Sequence, residues 1–491
     1  MLKKALIIGI VLFIILRIPS LFENYHDNDE AIYTVIGMVL NRGGLLYRDI
    51  WENKPPLFYI FYQFADIFNG YSLLVIKLLN LSSGLASILI IYNIIKDKIN
   101  TKIAVIVLFV SIFIFNLRSF EYNIANSENF FTLFTLIGLL IFTKLKSNKG
   151  IFLTGLFFGI ASIMKVNVLP EILVFTLYLI INNLGKELKL KSTFLYILGS
   201  IIPWILVFMQ QFLLGTFKYF FDAQTSGFTY VKASDSSSLI YSFGFRFILF
   251  ILSILIILFL MYRKKISKDV GLIVLLFSAS IFSALLSGRP YNHYAIQVIP
   301  YGLILLGYIL AKENRKEVYK WLVVLFVVFI STTLLFFKGR IPLKGEIKSS
   351  GGHYYLFFKA LFTDQDFQKY PRADAKRLYT LAELMMKKYV GKKKYFVITR
   401  VGIYKMIDEL PLVNRVPYYH TYFNADLQKD LIDQLIKNKV DLIVVDKAET
   451  LKEEFEKYLK ANYILDTSEK VEGYEIYTKL DAVGIEPTSK R

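Results

Sequence analysis

The chain has 491 residues, 55% of them hydrophobic, with a mean hydropathy of +0.48, which excludes a string of soluble domains and points to a polytopic membrane protein. The 58 Lys and Arg outnumber the 39 Asp and Glu to give a net charge of +19, but no nucleic-acid motif accompanies that charge. With no cysteine, disulfides, thiolate metal sites and a Cys nucleophile are excluded as well.

Apolar runs of roughly 17 to 25 residues, enough to cross a hydrocarbon core, recur up to about position 337. They predict an α-helical protein with about eleven transmembrane spans, over 5–21, 72–95, 102–117, 129–143, 150–165, 168–182, 193–214, 243–262, 270–287, 294–311 and 320–337. The first run follows the basic start "MLKK", but "RIPSLFENY" offers no small-residue cleavage site, so it reads as a helix and not as a signal peptide.

Lysines set the expected orientation, because cytoplasmic loops retain Lys and Arg. "KDKINTK" (96–102), "KLKSNK" (144–149), "GKELKLK" (185–191), "RKKISK" (263–268) and "KENRKEVYK" (312–320) occupy alternate connections and are assigned to the cytoplasm with the N-terminus. The connections 116–128, 215–238 and 287–293 are poor in such charges and are assigned to the outside of a plasma membrane, as is the first connection.

That first outer connection, 22–71, contains "EAIYTVIGMVL" and "PPLFYIFYQFADIF", each apolar at helical spacing but short for a span. They are expected as interfacial helices along the outer leaflet, joined by the irregular "NRGGLLYRDIWENK". The transmembrane domain accordingly covers 1–337. From 338 to 480 the pattern becomes that of a small outward-facing α/β domain: "KKYFVITR", "VDLIVVD" and "GYEIYTKL" read as strands, "LQKDLIDQLIKNK" and "AETLKEEFEKYLKANY" as amphipathic helices. The tail 481–491 is expected to be disordered.

"HDNDE" (26–30) places three carboxylates beside the first span. Charge near a bilayer invites a functional reading, yet an acidic first turn on the following helix is a sufficient structural account. "ENKPP" fixes Lys54 before a double proline at the membrane surface, which suits an anionic headgroup and equally suits a snorkelling lysine.

The order of "NDEAIYTVIGMVLNRG", "LYRDIWENKPPLFYIFY", "NIANSENFFTLFTLIGLL", "LTGLFFGIASIMKVNVLP" and "SGRPYNHYAIQVIPYGLILLG" resembles the membrane glycosyltransferases of the GT-C class. Within that class the likeness is to the protein O-mannosyltransferase and aminoarabinose-transferase branch, which uses polyprenyl-phosphate sugars. The resemblance implies an inverting glycosyltransferase that moves a sugar from a polyprenyl-phosphate donor to an acceptor hydroxyl on a lipid, protein or envelope glycan. It implies Asp29 as general base, with Glu30 beside it in the Asp-Glu pair, and Glu128 in an acidic position of the second outer loop. Lys54 is the first candidate to hold the donor phosphate, followed by Arg289, Lys165 and His293.

No metal is indicated, since His26, His293, His353 and His420 share no ligand spacing. Some relatives hold a divalent ion near the first loop, and there His26, Asp27 and Glu52 would be the ligands. An oligosaccharyltransferase is set aside because none of Trp51, Trp204 and Trp321 lies in the C-terminal domain. The competing classes are a lipid-linked sugar transporter or flippase, expected to carry broken helices in symmetric halves, and an inactive scaffold.

Overall fold

The computed structural model describes residues 2–23, 28–183, 190–233, 243–289, 291–311, 352, 354–359, 361–362, 373–398, 400–416, 425–468 and 471–480. Its apolar runs are helices: α1 (Leu2–Leu21), α4 (Ser72–Lys98), α5 (Thr101–Phe115), α6 (Ser127–Lys144), α7 (Asn148–Ser162), α8 (Leu169–Asn183), α9 (Leu190–Leu213), α11 (Phe243–Tyr262), α12 (Lys268–Leu285) and α13 (Ile299–Leu310). Between α1 and α4 lie α2 (Asn28–Asn41) and α3 (Tyr59–Asp66); between α9 and α11 lies α10 (Phe217–Ala233). Among the described residues, five helical segments, in α1, α9, α11, α12 and in Asn69–Lys98, which contains α4, are long and apolar enough to cross a membrane, and three shorter apolar ones accompany them. The expected span 320–337 and the tail 481–491 lie outside the described residues.

Helix starts follow local chemistry. Asn100, Ser147 and Ser267 cap α5, α7 and α12, each side chain accepting from the backbone N–H three residues on. Helices α7 and α9 pack closely. A Cβ on Gly155 would stand 2.0 Å from the Tyr196 carbonyl oxygen, and one on Gly159 would stand 2.5 Å from that of Ser200. This four-residue spacing of glycines lets the two backbones touch, so contact replaces side-chain interdigitation along that seam.

The segment 294–311 departs from expectation. Residues 292–297 form a 3-10 turn and the α-helix begins only at Ile299, with Pro300 in its first turn. The first loop departs too. α3 exposes Ile60 and Phe64, as a surface helix should, but α2 is buried on every side: Ile32, Tyr33, Val35, Ile36 and Met38 are almost wholly covered. α3 covers α2 so closely that a Cβ on Gly37 would be 2.6 Å from the backbone of Tyr62, and the short helix Ile403–Met406 packs on it as well. α2 is therefore covered by protein, which the expectation of an interfacial helix did not include: its apolar residues run around the helix, which is the mark of a buried one.

The C-terminal residues form a four-stranded sheet in the order β1-β2-β4-β3, with β1 (Tyr395–Val397) parallel to β2 (Leu442–Asp446) and β4 (Tyr474–Lys479) antiparallel to both β2 and β3 (Tyr463–Leu465). β1 and β2 are buried on both faces. Phe396, Ile443 and Val445 meet helices Ala425–Lys437 and Glu453–Asn462, while Val397, Leu442 and Val444 join a core with Leu381, Met385 and Tyr404. β3, three residues long, had not been expected.

This unit is pinned to the first loop. The Trp51 N–H donates to the Asn414 carbonyl at 2.9 Å, and the Asn414 amide donates to the Arg48 carbonyl at 2.9 Å. Arg415 lies 4.4 Å from the Trp51 ring centroid, Lys405 pairs with Asp66 at 2.5 Å, and Arg42 pairs with Asp408.

Candidate active site

The first-loop side of the site is built on α2 and the double proline. Asp29, in the first turn of α2, accepts a hydrogen bond from the Tyr33 hydroxyl one turn later, at 2.9 Å. Tyr33 is held edge-on against Phe58 and Tyr62, with centroids at 4.9 and 5.4 Å, and the Tyr62 hydroxyl donates to the Ala125 carbonyl at 2.7 Å. Pro55 is extended and Pro56 opens the next helical turn, so the chain enters at a fixed angle. The Lys54 carbonyl accepts from the hydroxyl of Tyr47, a residue in the left-handed region at φ 72°. These constraints bring the Lys54 ammonium to 4.8 Å from the Tyr33 ring centroid and 3.5 Å from Glu52 Oε1.

The opposite side comes from three later connections. Glu128, buried in the first turn of α6, pairs with Lys165, and its other oxygen accepts from the Ser127 hydroxyl at 2.9 Å. Lys165 follows α7, and its ammonium lies 4.6 Å from the Tyr294 ring centroid. His293, preceding Tyr294, has Nδ1 at 2.8 Å from Glu121 Oε2.

The two sides act on each other electrostatically. Burial disfavours the charge on Asp29, but Lys54, His293, the Tyr33 hydrogen bond and Lys165 outweigh it and hold the carboxyl below the ordinary carboxylate value. Burial likewise opposes the charge on Lys54, and Glu52, Asp29 and Glu128 raise it nonetheless. For Glu52 burial wins over Lys54 and pushes the carboxyl up. His293 is raised as well: burial works against its proton, and Glu128 and Glu121 prevail. The balance favours the charged form of Asp29 among several cations.

Of the residues expected from sequence, Asp29, Lys54, Glu128, Lys165 and His293 come together. Glu30 does not join them. One residue further round α2, it is buried with Oε1 accepting from the Ala125 N–H at 3.3 Å, and burial raises its carboxyl. Arg289 sits in the turn after α12, where its N–H donates to Ser287 Oγ at 3.3 Å. His26 and Asp27 lie outside the described residues, and among those described no three His, Asp or Glu side chains are grouped to hold a metal ion. Glu121, Tyr33 and Tyr294 were not singled out from sequence. Tyr33, one turn after Asp29 on the same helix, could have been found from the i, i+4 spacing alone.

Beside the first loop opens an apolar cavity of about 780 Å³, lined by Leu57 and Phe61, by Phe134 of α6, by Ile160 of α7, and by Leu206 and Val207 of α9. Its wall also includes Leu40, Leu46 and Pro56, of which Pro56 stands two residues beyond Lys54.

Over 97% of its length the chain superposes on 98% of the apo structure of ArnT from Cupriavidus metallidurans, with a TM-score of 0.57 and 12% identity. The fold is that of the GT-C membrane glycosyltransferases. ArnT of the same organism bound to undecaprenyl phosphate superposes with a TM-score of 0.56 and 12% identity over 96% of this chain and 97% of ArnT. Residues 53–210 match the family described as dolichyl-phosphate-mannose-protein mannosyltransferase, a stretch that opens one residue before Lys54 and takes in Glu128 and Lys165. A comparison with curated proteins finds no match.

Proposed function

We propose that this chain is an inverting glycosyltransferase that moves a sugar from a polyprenyl-phosphate donor to an acceptor hydroxyl at the outer face of the membrane. The observation that carries the reading is that the Asp29 carboxylate and the Lys54 ammonium meet on one tyrosine, Tyr33, in a site where Lys165 and His293 also act on Asp29. In the reaction the acceptor oxygen attacks the anomeric carbon as Asp29 takes the hydroxyl proton, and the bond from that carbon to the phosphate oxygen breaks. The electron pair stays on the lipid phosphate, which gains one negative charge. Attack from the face opposite the phosphate inverts the anomeric centre through an oxocarbenium-like transition state.

Lys54 and His293 oppose the charge that grows on the phosphate, and their effect is greater in the transition state than in the bound donor. Lys165, paired with Glu128, is the further cation on that side. The apolar cavity, whose wall includes Pro56 two residues beyond Lys54, suits the first isoprene units of a lipid whose phosphate meets the Lys54 ammonium. The family match over 53–210 and the ArnT structure bound to undecaprenyl phosphate support the same donor class. A hexose or pentose would serve equally in this scheme. The C-terminal unit docks on the first loop through Asn414, Arg415, Lys405 and Asp408.

The test is transfer of labelled sugar from polyprenyl-phosphate donors in membranes carrying the wild-type chain or Asp29→Asn, with lipid phosphate release followed in parallel. Loss of about 10²-fold or more in turnover with donor binding retained is expected for a general base. Near-wild-type turnover in Asp29→Asn would remove Asp29 from that role.

A further inference from the structure

The Glu121–His293 pair joins two outer connections that are far apart in sequence. Glu121 closes a short 3-10 turn, Arg118–Phe120, with φ 58° and ψ 26°, and its N–H donates to the Arg118 carbonyl at 2.9 Å. A side chain longer than that of Asn or Asp is uncommon in this left-handed region. The turn points the Glu121 carboxylate at His293, whose Nδ1 lies 2.8 Å from Oε2. The imidazole is fixed on its other sides as well, stacked on Tyr291 at 5.7 Å and 7° and edge-on to Tyr294 at 4.8 Å.

We infer that Glu121 is a positioning residue of this site: its carboxylate fixes the orientation of the His293 ring and commits Nδ1, so that Nε2 is the ring nitrogen left to meet the donor phosphate. This rests on the donor reading given above. Histidine is the side chain for which such a partner matters most, because the bond at one nitrogen decides what the other can do. The charged groups acting on His293 are Glu121 from the second outer connection, Glu128 from α6, Lys165 after α7 and Asp29 from α2, with Tyr291 and Tyr294 from its own segment. Glu121 and Glu128 favour the imidazolium while Lys165 opposes it, so removing one carboxylate shifts the balance toward the neutral ring.

The experiment uses the full chain in nanodiscs with ¹⁵N-labelled histidine. The sequence has four histidines, and His293→Gln assigns the resonance. The wild-type His293 midpoint is expected above the ordinary value of about 6.5, and Glu121→Gln lowers it by about one unit. Glu121→Asp keeps part of the shift. Glu121→Gly, which relieves the left-handed backbone while removing the carboxylate, behaves as Glu121→Gln and separates loss of the pair from any folding defect. A His293 midpoint and tautomer unchanged in both Glu121→Gln and Glu121→Gly would overturn the inference.

In parallel, undecaprenyl phosphate binding is measured on the same samples. Several-fold weaker binding in Glu121→Gln, with no further loss when it is combined with His293→Gln, supports the positioning role. Equal binding by Glu121→Gln and wild type overturns it even if the midpoint moves. A wild-type chain that binds no undecaprenyl phosphate at any pH defeats the donor reading instead, and the histidine spectra then decide the pairing alone.

Discussion

The Lys54 ammonium rests 4.8 Å from the centroid of the Tyr33 ring, while the hydroxyl of the same ring donates to Asp29 at 2.9 Å. One buried tyrosine thus holds the proposed base through its edge and the proposed phosphate-binding cation through its face. The two contacts separate by mutation. Tyr33→Phe keeps the ring and loses a hydrogen bond to a charged group, about 1.5–3 kcal/mol, so kcat is expected to fall about 10- to 100-fold with donor KM nearly unchanged. Tyr33→Leu loses both, and donor KM rises as well. Steady-state kinetics of the two variants check this; identical kinetic defects would mean that Tyr33 acts only through packing.

For Lys54 the expectation is a donor effect that depends on shape as well as charge. The double proline and the Tyr47 hydroxyl fix the backbone of Lys54, so its ammonium arrives at one height. Lys54→Ala should weaken donor binding about 10-fold or more and lower turnover further, since the cation acts most strongly on the leaving phosphate. Lys54→Arg should recover only part of this, because a planar guanidinium cannot reproduce the ammonium placed over the Tyr33 ring. Unchanged donor affinity and turnover in Lys54→Ala would reduce the residue to an anchor.

Much of this arrangement was legible in the chain, and the part that was not has a physical reason. The helices of the bundle announce themselves because each is an apolar run, and Lys54 was conspicuous because two prolines follow it. Glu30 misled, because sequence adjacency says nothing of which way two neighbouring carboxylates point. About 100° apart on α2, Asp29 faces Lys54 and Tyr33 while Glu30 meets the Ala125 N–H. Glu121 was invisible for the opposite reason: its role depends on a left-handed turn and on a partner in a connection far along the chain, neither of which any local pattern encodes. The burial of α2 was missed because its cover, α3 and helix Ile403–Met406, comes from two separate parts of the sequence.

The pH dependence of transfer follows from the directions of two shifts. Asp29 must be ionised to accept a proton, and its carboxyl is held below the ordinary value of about 3.9, so activity persists as pH falls until that lowered value is reached. His293 opposes the phosphate charge only while protonated, and it titrates above the ordinary imidazole value, so activity declines as pH rises through that raised midpoint. Lys54, raised above the ordinary lysine value, stays charged throughout. A profile of kcat/KM against pH should therefore show a plateau through the weakly acidic range and a fall on the alkaline side, and His293→Gln should abolish the fall while lowering the plateau. A wild-type rate that instead climbs between about pH 6 and 7, as for a neutral imidazole base, would contradict both assignments.

The seam between α7 and α9 gives a prediction about stability that is independent of the chemistry. Gly155 and Gly159 let α7 touch the backbone of α9 at Tyr196 and Ser200, and Lys165, which pairs with Glu128 in the site, follows directly from the end of α7. A methyl group at Gly155 would be driven to 2.0 Å from a carbonyl oxygen, a contact that rotamer changes cannot relieve because the obstacle is backbone. Gly155→Ala should cost about 1–3 kcal/mol, and Gly155→Leu more, as overpacking forces the helices apart. Thermal unfolding in detergent would register this as a lowered midpoint. Since separating α7 from α9 also shifts the segment that carries Lys165, donor affinity should fall in the folded fraction, whereas Gly244, with open space around its Cβ position, should accept alanine without either effect. Equal midpoints for Gly155→Ala and wild type would mean that the two helices are not in backbone contact in the membrane.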